Sequence, residues 1–516
     1  MNVGALLTKA ARSFGERLAI SHGADRWTYA AFNARVNRLA GGFTALGAAR
    51  HDTIALLMYN CPQMLEAMFA AFKAGCGVVP INFRLHPDEF AYIIDHSEAK
   101  IVVASAEFGD QLKSIASRIS GVSHIVIANG DCNAGCLEYE ALLSSHIDQF
   151  DDATVAPDDL AWLFYTSGTT GRPKGAMLTH RNLLAMSMSF YADMCPDFGP
   201  DDVTLHVAPL SHGSGLYALP NVGKAAANIF LESRSFEPST VLKAIEKYRV
   251  TNMFAAPTIV QRMVDSAQVN RYDLSSLKAL IYGGAPMLVD NLPRAMEEFG
   301  DCLVQLYGQG ETPMTITYLP HQDHVLGGSD AQTKRLGSVG IPRTNVEVAV
   351  VDKDDRELVA GQMGEIVTRS DVVMKGYWRD AESSGDALKN GWLHTGDVGY
   401  RDEDGYLFLV ERSKDLIISG GENIYPREVE EVLIQHPGVR EVAVIGVPDA
   451  EWGEAVKAVV APNGDAKVTE TELIEFCRDR IASYKKPKSV EFINELPKNN
   501  YGKILKRDLR TQFALK

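Results

Sequence analysis

The sequence predicts an α/β protein, with parallel α/β sheets and a small antiparallel sheet or barrel in a large N-terminal part, followed by a smaller α+β unit. Three observations support this prediction. The chain has 516 residues, more than one hydrophobic core normally organises. Strand-length apolar runs alternate with helix-length amphipathic segments as far as Gly337. The pattern changes there, and changes again near Glu411.

The alternation of helices and strands begins at the N-terminus. An amphipathic helix is predicted there, because Lys9 and Arg12 interrupt an apolar patch that is too short for a secretory signal. Further helical patterns cover residues 62–74, 241–248 and 288–299. Strand-type runs occur at 101–104, 125–128, 160–165, 203–207, 253–256, 277–282 and 303–307. Strands separated by helices indicate largely parallel sheets.

The remaining third of the chain has a different pattern. Closely spaced strand patterns at 346–351, 365–368 and 406–410 indicate an antiparallel sheet or barrel. Beyond Glu411 the predicted elements are a strand at 416–418, a helix opened by Pro426, strands at 441–447 and 456–461, a helix at 470–481 and a strand near Val490. About a hundred residues of this kind are typical of a small domain.

Composition and charge exclude several classes of partner. The net charge of −15 is unfavourable for binding nucleic acid or an anionic membrane. No stretch reaches the roughly 18 apolar residues of a membrane-spanning helix. The seven cysteines are scattered, and Cys132 and Cys136 lack a second pair that would complete a zinc site. These features favour a cytoplasmic protein with reduced thiols.

The most informative segment runs from Tyr165 to Gly175 and has the sequence YTSGTTGRPKG. It is predicted to follow a buried strand and precede a helix, so that hydroxyl and backbone N–H groups surround an anion. The segment differs from the nucleotide-kinase P-loop, because Pro173 and Gly175 replace that motif's Gly and Ser or Thr. The candidate phosphate-binding residues are Thr166, Ser167, Gly168, Thr169, Thr170, Gly171 and Lys174.

This segment resembles the signature loop of the adenylate-forming superfamily, which includes acyl-CoA synthetases, firefly luciferase and peptide-synthetase adenylation domains. The resemblance continues through ordered motifs to the C-terminus and is greatest for the acid:CoA ligase branch. It implies binding of ATP, release of AMP, and coenzyme A as the acyl acceptor. Within the loop, it implies a catalytic contact for Thr166.

Two further motifs, each at the end of a predicted strand, resemble the superfamily's adenine and metal sites. In the first, Gly284, Ala285 and Pro286 would lie along adenine. In the second, LYGQGET, Tyr307 and Gly308 would contact the nucleotide, and Glu311 would bind Mg²⁺. The superfamily usually has Thr where this chain has Gly310, so Thr312 or a backbone N–H would have to supply the missing contact to the α-phosphate.

The segments PLSH and WLHTGD resemble two more motifs. By this resemblance, His212 lies beside the acyl and pantetheine channel as a gate or orienting group. Asp397 would accept hydrogen bonds from both ribose hydroxyls.

The C-terminal motifs imply a mobile domain. By resemblance, Arg412 approaches the ribose and phosphate, Lys414 is the hinge, and Gly420 and Gly421 line the pantetheine tunnel. Lys503, in the segment PKNNYGKI, would enter the site to stabilise charge during adenylation. The predicted domains are therefore residues 1–411 and 412–516, with the hinge near Lys414.

The implied reaction joins a carboxylic acid to ATP, releases pyrophosphate, and transfers the acyl group to coenzyme A. The candidate acyl-pocket segments, 206–227, 283–286 and 307–318, are rich in small and apolar residues and lack a run of arginines. They favour an aryl or medium-chain monocarboxylate over a dicarboxylate. Three alternatives stay open: an enzyme that loads a carrier protein, an oxidase of the luciferase type, and a degenerate nucleotide-binding protein. A homodimer is expected from the superfamily alone.

Overall fold

The computed structural model describes residues 1–130, 135–166, 173–266, 268–285, 287, 292–412, 415–419, 422–449, 452–464, 468–498 and 504–513. Its helices are α1 (Ala5–Phe14), α2 (Tyr29–Ala45), α3 (Pro62–Ala74), α4 (Pro87–His96), α5 (Gly109–Ser114), α6 (Tyr139–Ser144), α7 (His180–Ser189), α8 (Gly213–Gly223), α9 (Pro238–Tyr248), α10 (Pro257–Asp265), α11 (Leu292–Phe299), α12 (Asp330–Arg335), α13 (Ala381–Ala387), α14 (Pro426–Leu433), α15 (Glu470–Arg478) and α16 (Lys506–Phe513).

The strands, in chain order, are β1 (Leu18–His22), β2 (Asp25–Thr28), β3 (Thr53–Leu57), β4 (Gly77–Ile81), β5 (Ala99–Ser105), β6 (His124–Ala128), β7 (Leu137–Glu138), β8 (Leu160–Thr166), β9 (Lys174–Thr179), β10 (Val203–His206), β11 (Ala227–Phe230), β12 (Asn252–Ala255), β13 (Ala279–Gly283), β14 (Leu303–Tyr307), β15 (Thr317–Leu319), β16 (Ile341–Pro342), β17 (Glu347–Val351), β18 (Gly364–Arg369), β19 (Leu388–Lys389), β20 (Trp392–Arg401), β21 (Leu407–Arg412), β22 (Ile417–Ser419), β23 (Glu422–Ile424), β24 (Val439–Asp449), β25 (Gly453–Pro462) and β26 (Ser489–Phe492).

Two large sheets form most of the N-terminal part. One has nine strands in the order β16-β15-β14-β13-β12-β10-β11-β1-β2, and the other has seven in the order β7-β6-β5-β3-β4-β8-β9. Their central strands pair in parallel, and antiparallel strands close the edges at β2, β9, β15 and β16. The predicted α/β class is therefore confirmed, and the predicted strands of this part are present.

Helix α3 shows how local sequence determines an element here. Pro62 stands at its first turn, where no backbone N–H is needed, and Gly75 ends it in a left-handed conformation with φ +75°. Every position between them except Gln63 is buried. An almost wholly apolar helix is stable only inside a large core, and α3 packs against α2 within the principal hydrophobic cluster.

Two smaller sheets follow. Strands β17, β18, β20, β19 and β21 form an antiparallel half-barrel, as the closely spaced patterns predicted. Strands β22 to β26 form a second sheet, antiparallel except for the β25–β26 pair, with its own apolar cluster beneath α14 and α15. Arg427 links α14 to the half-barrel by donating to the Leu409 carbonyl at 3.2 Å.

One local prediction is wrong. The segment after Tyr165 was expected to run from strand to loop to helix, but β9 begins at Lys174 and pairs antiparallel with β8. The glycine-rich segment therefore joins the strands of a hairpin, and α7 begins only at His180. In the part of the chain that is described, no helix is both long and apolar enough to cross a membrane.

Candidate active site

The candidate site lies where the ends of strands from both large sheets meet. Thr166 ends β8 of the seven-stranded sheet, and Glu311 follows β14 of the nine-stranded sheet. The Thr166 hydroxyl donates to Glu311 Oε1 at 3.4 Å. This contact brings the start of the glycine-rich segment to the proposed metal ligand, two regions separated by 145 residues.

Several predicted site residues fall outside the described residues: Ser167, Gly168, Thr169, Thr170, Gly171, Pro286, Lys414, Gly420, Gly421 and Lys503. Arg412 is described through its backbone, which pairs with Asp397 at the end of β21. The geometry that follows concerns the other predicted residues and their neighbours.

Glu311 is held by a segment that we call the crossing segment, residues 370–378. Its Tyr377 hydroxyl donates to Glu311 Oε1 at 2.8 Å, and its Met374 N–H donates to the Glu311 backbone carbonyl at 2.8 Å. These bonds fix both the backbone and the carboxylate of Glu311. Tyr377 was not predicted as a site residue, because no local pattern relates it to a glutamate 66 residues earlier.

Asp397 is positioned by two side chains of the β14 motif. The Tyr307 hydroxyl donates to Asp397 Oδ2 at 2.8 Å, and Gln309 Nε2 donates to the same oxygen at 2.7 Å. Gln309 also donates to the Thr395 carbonyl at 2.8 Å, which fixes its amide orientation. Gln309 was missed in the sequence, although it lies inside the motif that contains Tyr307 and Glu311.

Lys174 begins β9 and interacts with the helix that follows the crossing segment. Its ammonium group donates to the Ser383 hydroxyl, lies 3.8 Å from Asp380 Oδ2, and sits 5.3 Å from the centre of the Tyr377 ring. Bonds from Ser383, followed by the charge of Lys174, lower the pKa of Asp380. Lys174 therefore lies next to Tyr377, the residue whose hydroxyl donates to Glu311.

His212 lies at the start of α8, with its ring edge-on to Phe164 at 5.0 Å between centroids. Burial lowers the pKa of His212 to about 4, so the imidazole is neutral at physiological pH. A neutral ring is suited to orienting or gating a ligand, as predicted from the resemblance, and it adds no positive charge to the site.

Neighbouring side chains explain why position 310 holds a glycine and not the Thr usual in the superfamily. A Cβ atom at this position would lie 2.6 Å from Phe164 Cδ1 and 2.7 Å from Thr166 Cγ2, too close for either. The Phe164 ring thus occupies the space beside Gly310. Thr312 is fully buried, and its hydroxyl accepts from the Gln309 N–H at 3.0 Å.

The glycines of the two predicted nucleotide motifs have different surroundings. Gly284 has φ +83° and open space at its Cβ position, and Ala285 continues this segment with a small side chain. A Cβ on Gly308 would lie 2.3 Å from the Met314 backbone carbon, so a glycine is needed there for the chain to pack against itself.

The described residues fit Mg²⁺ bound together with a nucleotide. Among them, no group of three His, Cys, Asp or Glu side chains could hold a metal alone. Magnesium is usually bound by one or two carboxylates plus substrate phosphates, and the anchored Glu311 supplies such a carboxylate. Asp397, a carboxylate held in a fixed orientation, suits the vicinal hydroxyls of a ribose.

Comparison with known proteins identifies this arrangement. A model of the AMP-binding enzyme family matches residues 7–378, and a model of the AMP-binding enzyme C-terminal domain matches residues 428–503. The chain belongs to the AMP-binding enzyme family. The prediction of an AMP-forming acyl-CoA ligase is confirmed at this level, and so is the acyl-CoA ligase branch.

The relatives extend over the full chain. It is 38% identical over 515 residues to a feruloyl-CoA synthase of an Amycolatopsis species, with 99% of each protein covered. It is 34% identical to an indoleacetate–CoA ligase of Aromatoleum aromaticum, covering 95% and 94%, and 34% identical to a long-chain-fatty-acid–CoA ligase of Escherichia coli O157:H7, covering 90% and 86%.

A solved structure supports the fold. ATP-bound MatB from Rhodopseudomonas palustris superposes with a TM-score of 0.89 at 31% identity, covering 100% of this chain and 99% of that one. The combination of two large α/β sheets, a half-barrel and a small C-terminal domain is that of this family.

Proposed function

We propose that this enzyme converts an aryl or medium-chain monocarboxylic acid to its CoA thioester through an acyl-adenylate. The observation that carries the proposal is the junction of Thr166, Glu311 and Tyr377 at the meeting ends of two sheets. It places a hydroxyl and an anchored carboxylate beside the glycine-rich segment. Relatives named for feruloyl, indoleacetate and long-chain fatty acids support an acid with a large apolar body.

In the first half-reaction, a carboxylate oxygen attacks the α-phosphate of ATP and pyrophosphate leaves. Asp397 holds the ribose, and Tyr307, Gly284 and Ala285 accommodate the adenine. Thr166 and the glycine-rich segment bind the phosphates, and Lys174 and Lys503 offset their charge. Positioning and electrostatic stabilisation account for most of the rate enhancement in such a transfer.

Glu311 is the residue that would hold Mg²⁺, which when bound neutralises phosphate charge. Tyr377 donates to this carboxylate and so keeps it directed at the metal position. Substituting Tyr377 would therefore weaken metal binding without removing the ligand itself.

In the second half-reaction, the CoA thiol attacks the acyl-adenylate and releases AMP. We propose that residues 412–516 rotate relative to residues 1–411 about a hinge near Lys414. The rotation would withdraw Lys503 and bring Gly420 and Gly421 to the pantetheine tunnel, with Arg412 near the ribose. His212, neutral beside Phe164, would orient the acyl end of this channel. A homodimer in the cytoplasm stays a prediction.

The experiment that tests this function is acid-dependent pyrophosphate release from ATP, with and without CoA. The panel contains benzoates, cinnamates, short-, medium- and long-chain acids, and dicarboxylates. We expect CoA-dependent turnover with AMP as product, fastest for an aryl or medium-chain monocarboxylate. Release that CoA does not accelerate would favour a carrier protein as acceptor, and no release with any acid would refute a ligase.

Lys503→Ala tests the adenylation half-reaction. The substitution removes the charge that would stabilise the attack on the α-phosphate, so pyrophosphate release should fall by about 10²-fold or more. Nucleotide binding should change little, because the described nucleotide residues lie on other elements. Lys506→Ala is the control, since Lys506 pairs with Glu430 at 3.0 Å. Unchanged pyrophosphate release in Lys503→Ala would refute the role proposed for Lys503.

A further inference from the structure

A buried arginine lies near the candidate acyl pocket and has an incomplete set of hydrogen bonds. The Arg343 side chain is 1% exposed, and its Nε donates to Asp193 Oδ2 at 2.8 Å. Within the described part of the chain, the terminal guanidinium nitrogens Nη1 and Nη2 have no hydrogen-bond partner other than the Tyr217 hydroxyl. Buried polar groups are normally satisfied, and a guanidinium donor left without an acceptor is costly.

Asp193, in contrast, is fully engaged. In addition to Arg343, it accepts from the Thr344 N–H at 3.1 Å, from the Thr344 hydroxyl, and from the Ser189 hydroxyl at 3.2 Å. The carboxylate offsets the arginine charge but does not use the arginine's terminal nitrogens. The result is a nearly neutral pair that still offers N–H donors.

A second buried polar group lies beside the first. The Tyr217 hydroxyl interacts with the Arg343 guanidinium, and no other described residue is its hydrogen-bond partner. Burial raises the pKa of Tyr217 to about 12, and the charge of Arg343 and hydrogen bonding to it oppose this rise. The Tyr217 ring packs 5.1 Å from Phe190 and 5.9 Å from Phe254, so the two polar groups share an aromatic surrounding.

The position of these groups relates them to the acyl pocket. Tyr217 lies on α8, which begins directly after His212, and about 6 Å of helix separates it from Gly213. A Cβ on Gly213 would lie 2.5 Å from Phe254 Cε1, so Phe254 contacts both ends of this helical turn.

Arg343 also packs against a tyrosine of the nine-stranded sheet, which carries part of the candidate site. The guanidinium carbon lies 5.4 Å from the centre of the Tyr318 ring. Tyr318 stands on β15 opposite Leu306, the neighbour of Tyr307 on β14. Tyr217 thus lies about one helical turn beyond His212, and Arg343 lies beside Tyr217 and Tyr318, two residues of the candidate acyl-pocket segments.

We propose that Arg343 and Tyr217 form a polar subsite at the far end of the acyl pocket, which takes a neutral oxygen of the acid, such as a phenolic or alkoxy oxygen. The proposal rests on the ligase function proposed above and narrows its substrate class. A second carboxylate is disfavoured, because Asp193 already offsets the arginine and another buried anion would be uncompensated. An oxygen acceptor, in contrast, satisfies the guanidinium N–H groups without adding charge.

The test compares matched pairs of ligands. Acyl-sulfamoyl-adenosine analogues of cinnamate, 4-hydroxycinnamate and 4-carboxycinnamate are titrated by calorimetry, and pyrophosphate release is measured with the three acids. Wild type should prefer the hydroxylated ligand by about tenfold or more, as one good hydrogen bond to a charged donor provides. Equal affinity for the first two analogues, or preference for the carboxylated one, would overturn the proposal.

Substitutions at Tyr217 and Arg343 test whether these residues cause the preference for the hydroxylated ligand. Tyr217→Phe removes a hydroxyl whose partner in the fold is Arg343, and Arg343→Met with Asp193→Asn removes both charges together. Each should reduce the affinity ratio about fivefold to tenfold. Tyr191→Phe is the control, because its hydroxyl donates to the Pro220 carbonyl at 2.7 Å and should leave the ratio intact. A ratio unchanged in both subsite variants would refute the assignment.

The two readouts separate this proposal from the ligase function. Pyrophosphate release without a preference for the hydroxylated analogue would refute the subsite and leave the ligase intact. A binding preference without release from any acid would refute the ligase and leave the subsite. Failure of every analogue to bind would refute both.

Discussion

At the scale of single residues, Gly310 shows that a departure from a family motif can be compensated by its neighbours. Phe164 and Thr166 occupy the space that a side chain at 310 would need. The Phe164 ring also packs edge-on to His212, so the ring that excludes a side chain at 310 contacts the predicted acyl-channel histidine as well. The hydroxyl expected at 310 is absent, and the described hydroxyls beside Glu311 are those of Thr166 and Tyr377.

Gly310→Thr, which restores the usual residue, should therefore impair this enzyme. Its Cβ would overlap Phe164 and Thr166, which costs about 1–3 kcal/mol of stability and displaces Thr166 from Glu311. We expect pyrophosphate release to fall at least tenfold. Adding Phe164→Val should recover part of this loss, because the two positions compete for one space. Strictly additive effects would contradict this coupling.

The control for this substitution is Gly199→Ala. Gly199 also lacks a positive φ, but a Cβ there would meet nothing within 4 Å. The free energy of unfolding of this variant should stay within about 0.5 kcal/mol of the wild-type value. Its rate of pyrophosphate release should equal that of wild type.

At the scale of elements, the N-terminus of α7 supports the site from outside it. Thr179 and Asn182 form a capping box, in which the Asn182 Oδ1 accepts from the Thr179 N–H at 2.7 Å. The Asn182 Nδ2 donates to the carbonyls of Asp371 and Val373, both at 2.8 Å. A helix cap thereby fixes the crossing segment that holds Glu311.

Asn182→Ala should destabilise the protein by about 2–4 kcal/mol, because it removes the side-chain half of the capping box and two part-buried hydrogen bonds. The expected result is a fall of several degrees in Tm. The Mg²⁺ concentration needed for half-maximal pyrophosphate release should also rise, because Glu311 is held less firmly. Calorimetry and a magnesium titration measure the two effects. Asn345→Ala is the matched control, since its amide makes one exposed bond of 3.3 Å to the Ala185 carbonyl. Equal effects of both substitutions would contradict the supporting role of α7.

A helix or strand could be predicted where residues within it determine its start, end and burial. The bounds predicted for α3 agree with the structure, because Pro62, Gly75 and an apolar interior all act within one helix. Strand β9 was missed, since its first residues belong to a motif with a glycine-rich pattern typical of loops. Its formation depends on pairing with β8 and with the crossing segment, whose Trp378 N–H donates to the Gly175 carbonyl at 2.8 Å.

The site was predictable in part for the same reason. Motifs located Glu311, Tyr307 and Asp397, and the structure brings these residues together with neighbours that no motif contains. Tyr377 reaches Glu311 across 66 residues, and Arg343 reaches Asp193 across 150. Such pairs arise only when separate sheets and helices pack, so one sequence gives no local signal for them.

At the scale of the whole molecule, four histidines lie in regions where burial lowers their pKa to about 4: His180, His206, His212 and His324. His206 illustrates the neutral form. Its Nε2 lies 2.9 Å from Asn228 Oδ1, an acceptor, and its Nδ1 lies 2.8 Å from the Ser214 hydroxyl. The network therefore assigns the proton to Nε2, and both ring nitrogens are bonded without a positive charge.

These histidines make acid destabilising. Their pKa is near 6.5 in the unfolded chain and lower in the folded one, so the unfolded state binds protons first as pH falls. Their contribution is complete above pH 6.5 and is lost as pH falls toward 4. Each can contribute up to about 1.4 kcal/mol per pH unit within this window.

We therefore expect Tm to fall when the pH is lowered from about 7.5 to about 5.5. His206→Asn removes one of the four groups, so its Tm should change less with pH than that of wild type, even if it is lower throughout. His22→Gln is the control, because His22 is partly exposed and its charge does not affect the pKa of the four buried histidines. Calorimetric scans at several pH values measure the slope directly. A slope as steep in His206→Asn as in wild type would show that buried His206 does not contribute to acid sensitivity.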